Sequence, residues 1–411
     1  MRMKFNKSGQ LLLVSAASLL VAGLLTACTT NTVDFVYVTS SLAAGTNSYG
    51  EINVLEVNRE SGFMRQIPTS PFPSGGRDPV GDAVSTDFQN LYVVNEDDNN
   101  IVQFTIGSDG KLYPQNTVNT PGIYPIAVTV SGSNLFVLDT YQPLPTCSNA
   151  APCSGSVAVF PIGAASGSTV SGTLGAPVTN GDKSYWPLNL SGSASTDVIK
   201  PTAMATLPSG SNLYVAAYDT NANRGYVFGF AVGSGGTLSA VNNGLALPAG
   251  SMPSAIASDS TGSYVYVTDS NHNQVLGYAV QSGALAPLTS GTKGGNGFPT
   301  GSSPSAIAAD PAGGFLYVAN SLDATVSSYS INAGALTRNG TFSTGLQPVA
   351  IGFDASLHRY LYTVNFLGSS LSGFQVDQTD GSLINTQNSP YTSNALPTAM
   401  VAIPHGTAAA Q

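Results

Sequence analysis

The chain has 411 residues, 42% of them hydrophobic and only 9% charged, with a net charge of −9. That balance excludes a disordered chain, which pairs low hydrophobicity with high net charge. With 13 Lys and Arg in all, and no basic cluster beyond residue 10, it also excludes the electrostatic footprint of a nucleic-acid binder.

The first element is an export signal. Arg2, Lys4 and Lys7 make a basic start, and Leu11 to Ala27 is an apolar run without a charge. It closes on Leu25-Thr26-Ala27-Cys28, after which the chain turns polar. An apolar run followed by small residues reads as a cleavable leader rather than a membrane span. The ending has the form of a bacterial lipobox, so residues 1–27 are expected to be removed and Cys28 to carry lipid, with 28–32 as a short linker. Thr29, rather than Asp, follows the cysteine and points to the outer membrane. The expected location is extracytoplasmic, with the membrane as a partner through the lipid on Cys28.

From residue 33 the chain repeats. A Pro-x-Ala/Gly motif starts at Pro79, Pro125, Pro201, Pro253, Pro304, Pro348 and Pro397. An aromatic-Val-type strand end starts at Tyr37, Tyr92, Phe136, Tyr214, Tyr266, Tyr317 and Tyr362. A third short strand starts at Ile52, Ile101, Val157, Val227, Val275, Val326 and Leu371, and most copies run on into a turn such as Ser282-Gly283-Ala284-Leu285. Strands of Val, Ile, Tyr and Phe, separated by Gly, Asn, Asp and Ser, at a period near 50 residues are the pattern of a β-propeller blade. Pro suits the first position of a strand, where no ladder N–H is lost.

The expected fold is all-β: a seven-bladed β-propeller of four-stranded antiparallel blades over residues 33–403, followed by a tail at 404–411. The first aromatic strand, at Tyr37, has no Pro-x-Ala strand before it, and the last Pro-x-Ala strand, at Pro397, has no aromatic strand after it. A ring closed by pairing the N- and C-terminal strands explains both ends and removes sheet edges; a solenoid explains neither.

In such a ring the residues before each Pro and after each Tyr-Val motif surround one mouth of the central channel. Blade two brings Asp78 and the acidic turn Glu96-Asp97-Asp98 to that mouth. The turn lacks an EF-hand spacing, and no metal site or cofactor is assigned. Asp82 takes a slot that is Met204, Ile256, Ile307, Ile351 or Met400 in other blades. A carboxylate at a core-facing slot needs a partner or a raised pKa, or else a bulge beside Gly81 turns it aside. Asn95, Asp139, Asp269, Asn320 and Asn365 end the second strands. They form either a polar collar or strand ends that bond backbone.

Blade three is longer than the others, with insertions near 140–155 and 163–200. The first holds Cys147 and Cys153, which an oxidising compartment would join. The second holds the single tryptophan, Trp186. Tyr124, Tyr141, Tyr185 and Trp186, with Asp78 and Lys200, could rim a pocket for a sugar-like or other small ligand. The alternative is that the aromatics only cover the insertions. In blade five, His272 is the one histidine expected on the mouth face.

The strings YVTDSNHNQVLGYAVQSGAL at Tyr266 and YVANSLDATVSSYSINAGAL at Tyr317 resemble the repeats of YVTN-type propellers and of the seven-bladed lactonase family. That family includes 6-phosphogluconolactonase-like enzymes. The resemblance runs over nearly all of residues 33 to 403 and implies the propeller fold. Family lactonases carry His or Arg at the loop leading into the innermost strand, where this chain reads PIAV, PTAM, PSAI and PVAI. Their Asn-Glu strand ending is matched by Asn95-Glu96. Two functions follow as expectations. The first is an envelope propeller that binds a glycan, small ligand or protein at the channel mouth. The alternative is a sugar-lactone hydrolase drawing its catalytic groups from Glu96, Asp78 and His272.

Overall fold

A computed structural model describes residues 31–41, 48–164, 171–190 and 197–406. The expected leader, Cys28 and the end of the C-terminal tail lie outside the described residues. Seven antiparallel sheets form the ring, each ordered from an innermost strand outwards. The innermost strands are Pro79–Val84, Ile123–Ser131, Ile199–Thr206, Pro253–Ser258, Pro304–Ala309, Pro348–Phe353 and Pro397–Pro404, so every Pro-x-Ala motif lies where the sequence places it. In blades one, four, five and seven the outermost strand is split into two short pieces.

Blade one closes the ring. Thr32–Ser40 pairs with the C-terminal Pro397–Pro404 on one side and with Glu51–Asn58 on the other. Tyr37 faces Val401 across that pair, and Ser40 faces Pro397. The chain's last strand therefore supplies the innermost strand of its first blade. Thr398 Oγ1 then donates to the Pro79 carbonyl of blade two at 2.8 Å. Ser254 and Ser305 make the same contact to Pro304 and Pro348, each at 2.6 Å.

Apolar clusters fill the spaces between neighbouring blades. Phe35, Tyr37 and Val54 of blade one pack on Leu91, Val93 and Phe104 of blade two. A second device repeats at these junctions. The Tyr37, Tyr92, Tyr214, Tyr266, Tyr317 and Tyr362 hydroxyls donate to the carbonyls of Gly110, Gly172, Gly283, Gly334, Gly381 and Gly62 in the next blade, at 2.7–3.1 Å. Those glycines hold φ between 64° and 85°, a turn geometry that side chains disfavour. The aromatic motif and the glycine turn are thus two halves of one latch. Blade three carries Phe136 and has no hydroxyl to donate.

The long segment of blade three contains that blade's own outer strand. Trp186–Pro187 pairs with Ser156 and Val157. Cys147 and Cys153 are disulfide-bonded, with Cα atoms 5.5 Å apart, and close the loop that follows Tyr141.

Candidate functional site at the channel mouth

The mouth is built the same way in most blades. The residue before the proline is held at positive φ in Asp78, Tyr124, Ser303, Gln347 and Leu396. Non-glycine residues rarely adopt that conformation and need surroundings that enforce it. Here its carbonyl accepts the N–H of the first residue of the turn after the second strand: Glu96 N to Asp78 O at 2.9 Å, Ser321 N to Ser303 O at 2.9 Å, and Phe366 N to Gln347 O at 2.8 Å. Asn side chains from the preceding blade add a second tie, Asn99 Oδ1 to Tyr124 N at 2.6 Å and Asn273 Oδ1 to Ser303 N at 2.8 Å. The first turn residue and the pre-proline residue therefore stand side by side around the opening.

In blade two that pair is Glu96 and Asp78. Both are partly buried, and desolvation raises both carboxyls above their ordinary range. Glu96 is pushed further up by Asp78 and Asp97, while the Lys200 ammonium from blade four pulls it down. Asp78, Asp97 and Lys200 thus all act on the Glu96 carboxyl. Arg77 pins the turn beneath it: its Nε bonds Asp98 Oδ1 at 2.7 Å and its backbone N bonds Asp98 Oδ2 at 2.8 Å. That pairing occupies one of the three acids of the turn.

Tyr124 stands at the same rim in blade three. Its ring meets Tyr141 edge-on with centroids 6.1 Å apart, and the Tyr141 hydroxyl donates to Asn149 in the disulfide loop. Trp186 and Tyr185 lie elsewhere. Trp186 is buried in the cluster between blades three and four, at the outer strand and away from the channel axis. These two aromatics cover the insertion rather than rim the mouth.

His272 does not join Glu96. It sits on the blade-five turn, mostly exposed, with Nδ1 2.6 Å from Asp269 Oδ2 and 3.4 Å from Ser251 Oγ. Both contacts fall on one ring nitrogen, so the imidazole cannot take a proton from Ser251 on one nitrogen while Asp269 holds the other, as a catalytic triad requires.

Asp82 lies in the seam between blades one and two, partly open to the channel. Thr39 Oγ1 donates to it at 2.7 Å, and burial pushes its carboxyl up to about 7 despite that bond. Its exception to the repeat is a hydrogen-bonded carboxyl between blades.

The strand-ending Asn and Asp residues do not form a collar. Asn95, Asp139, Asp269, Asn320 and Asn365 are fully buried. Several tie down the loop leading into their own blade's innermost strand: Asp139 Oδ2 accepts Gly122 N at 3.1 Å, Asp269 Oδ1 accepts Met252 N at 3.1 Å and Asn320 Oδ1 accepts Gly301 N at 3.1 Å. Sequence reasoning missed Glu51, which follows Gly50 where the backbone packs on Pro79 and whose carboxyl is raised by burial. It also missed Asp34. At the opposite end of the ring, Asp34 accepts a 2.5 Å bond from Ser356, and burial pushes it up to about 7, with Asp354 adding to the effect.

The family model for the lactonase seven-bladed β-propellers matches residues 35–400. The chain belongs to the lactonase family of seven-bladed β-propellers. Solved structures agree on the fold. A putative 6-phosphogluconolactonase from Bacteroides fragilis superposes with a TM-score of 0.69 at 20% identity, covering 91% of this chain and 99% of that one. The Pseudomonas aeruginosa periplasmic gluconolactonase PpgL gives 0.68 at 20% identity, covering 90% and 99%. No sequence among curated proteins matches it.

Proposed function

We propose that the protein is a lactone hydrolase working at this mouth, exported and held in the envelope by lipid on Cys28. The observation that carries the reading is the pairing of Glu96 and Asp78 at the mouth, where Glu96 N bonds Asp78 O at 2.9 Å, with the Lys200 charge of blade four acting on the Glu96 carboxyl. Hydrolysis needs a base for water and a charge to oppose the oxyanion. Glu96 takes a proton from water as the water oxygen bonds the lactone carbonyl carbon. Lys200 stabilises the resulting oxyanion. When the ring C–O bond breaks, Glu96 returns its proton to the departing alkoxide, leaving a hydroxy acid. A carboxyl raised by burial is suited to both proton transfers. The family, and relatives described as gluconolactonases, support the same chemistry, and the periplasmic description of one of them supports the location.

The test is turnover of glucono-δ-lactone by the purified protein and by Glu96→Gln. The reading expects activity in the first and a loss of at least about a hundredfold in the second, the scale of a general base. Equal rates would overturn it. A second reading, ligand binding without turnover, is favoured by one observation: the ring of residues before the prolines carries no His or Arg.

A further inference from the structure

Two faces of the ring compete to meet a membrane. The mouth carries Leu322, Leu346 and Leu367, all exposed, and exposed leucines are side chains a bilayer can take up. The opposite face carries the point where the chain enters the ring, and that point decides between them.

Thr32–Ser40 is the second strand of blade one and runs from one face to the other. Its far end reaches the mouth, where Ser41 N donates to the carbonyl of the pre-proline Leu396 at 3.0 Å. Its near end starts at the opposite face. There Arg59 N donates to the Asn31 carbonyl at 2.8 Å, and Asn31 Nδ2 donates to Glu60 Oε1 at 3.4 Å. A nine-residue strand rising about 3.3 Å per residue puts Asn31 about 26 Å from the mouth. The tether is shorter than that. Only Thr29 and Thr30 separate Cys28 from Asn31, so the cysteine lies at most about 11 Å from the first residue that the ring holds. With lipid on Cys28, the mouth leucines are too far from the anchor to reach the bilayer. Pro397–Pro404 alone lies between the entry strand and the channel axis, so the entry stands near the middle of its face rather than at its edge.

The side chains at the entry suit a surface of lipid phosphates. Arg59 and Arg359 are exposed, and neither is in an ion pair among the described residues. Tyr360 brings the two together. Its hydroxyl donates to the Arg59 carbonyl at 3.0 Å, and its ring centroid is 5.8 Å from Arg359 Cζ. A guanidinium presents a planar fork of donors that matches phosphate oxygens. Glu60 beside them offsets one of the two charges.

We propose that the face carrying Asn31, Arg59 and Arg359 lies against the membrane, with the two arginines on lipid phosphates, and that the mouth opens away from it. This rests on the lipid anchor of the reading above and not on hydrolysis. The site then draws its ligand from water rather than from the bilayer, and the mouth leucines stay in the aqueous compartment.

The experiment uses the lipidated protein in phospholipid vesicles that carry nitroxide-labelled headgroups. A fluorophore is attached in turn at Glu60→Cys on the entry face, at Leu322→Cys on the mouth and at Thr69→Cys on the outer side of blade one. The expected result is a large loss of fluorescence at residue 60 and none at residue 322, with residue 69 between them. Arg59→Glu/Arg359→Glu should reduce the loss at residue 60 and leave residue 322 unquenched; no change would overturn the arginine contact. Quenching at residue 322 would show the mouth on the membrane. Strongest quenching at residue 69 would show the ring on its edge, and equal quenching at all three would show a ring that turns freely on its tether. Each of these overturns the proposed orientation in a protein that floats with the vesicles, and so leaves the anchor standing. A protein that does not float, with an intact mass lacking lipid, overturns the anchor and the orientation together.

Discussion

Replacing Asp139 by Asn should stabilise the protein, and by an amount that depends on pH. Asp139 is fully buried, one oxygen takes Gly122 N and the other has no partner, and burial pushes the carboxyl from 3.8 up to about 7. Below about pH 4 both folded and unfolded chains hold the proton, and the shift costs nothing. Between about 4 and 7 the folded chain holds it and the unfolded chain releases it, so stability falls as pH rises; above about 7 the full cost is present. At 1.36 kcal/mol per unit that cost is about 4 kcal/mol. Asn removes the ionisation and keeps the acceptor for Gly122. Its Nδ2 gains a donor role towards Ser156, whose hydroxyl is also buried without a partner. Asn365 makes that bond to Ser370, its cross-strand neighbour as Ser156 is of Asp139, at 3.2 Å. Urea unfolding of both proteins at about pH 4.5 and about pH 8 measures the effect. The stability gained by Asp139→Asn should be about 3 kcal/mol larger at the higher pH. An equal gain at both, or a loss at about pH 8, would refute the reasoning.

Three further outcomes follow from the architecture. Tyr266→Phe removes the bond to the Gly334 carbonyl at a buried junction and should cost about 1 kcal/mol in unfolding free energy, visible as a lower urea midpoint. Removing residues 395–411 takes away the innermost strand of blade one and should leave no cooperative unfolding transition; a truncated protein that melts like the whole one contradicts ring closure. Cys28→Ser should move the protein from the membrane fraction to the soluble extracytoplasmic fraction, and retention in membranes would refute the lipid anchor.

The repeat made the ring legible because each motif answers one local demand: proline at a strand start, a small residue where blades crowd, an aromatic in the seam. What spacing cannot convey is which motif touches which. Tyr266 and Gly334 are 68 residues apart, and only the ring shows that one donates to the other. For Asn320 and Asp139 the sequence left a collar and backbone-bonding strand ends both open, and their side chains turn inward to hold a loop. Trp186 stood out as a rare residue in an insertion, yet the insertion contains the blade's missing outer strand, so burial explains the tryptophan. Asp78, Glu96 and Lys200 were expected at one mouth from their positions beside the repeat motifs; Glu96 N bonds Asp78 O there, and the Lys200 charge acts on Glu96. His272 was placed on the same face but belongs to blade five, where Asp269 holds its Nδ1.

A crystal of the Glu96→Gln protein soaked with an uncharged lactone tests the account most directly. The account predicts the lactone ring in the mouth, its carbonyl oxygen within hydrogen-bond reach of Lys200 Nζ and its carbonyl carbon beside residue 96. A lactone bound at the opposite end of the channel, or in the mouth with its carbonyl turned away from both residues, would contradict it.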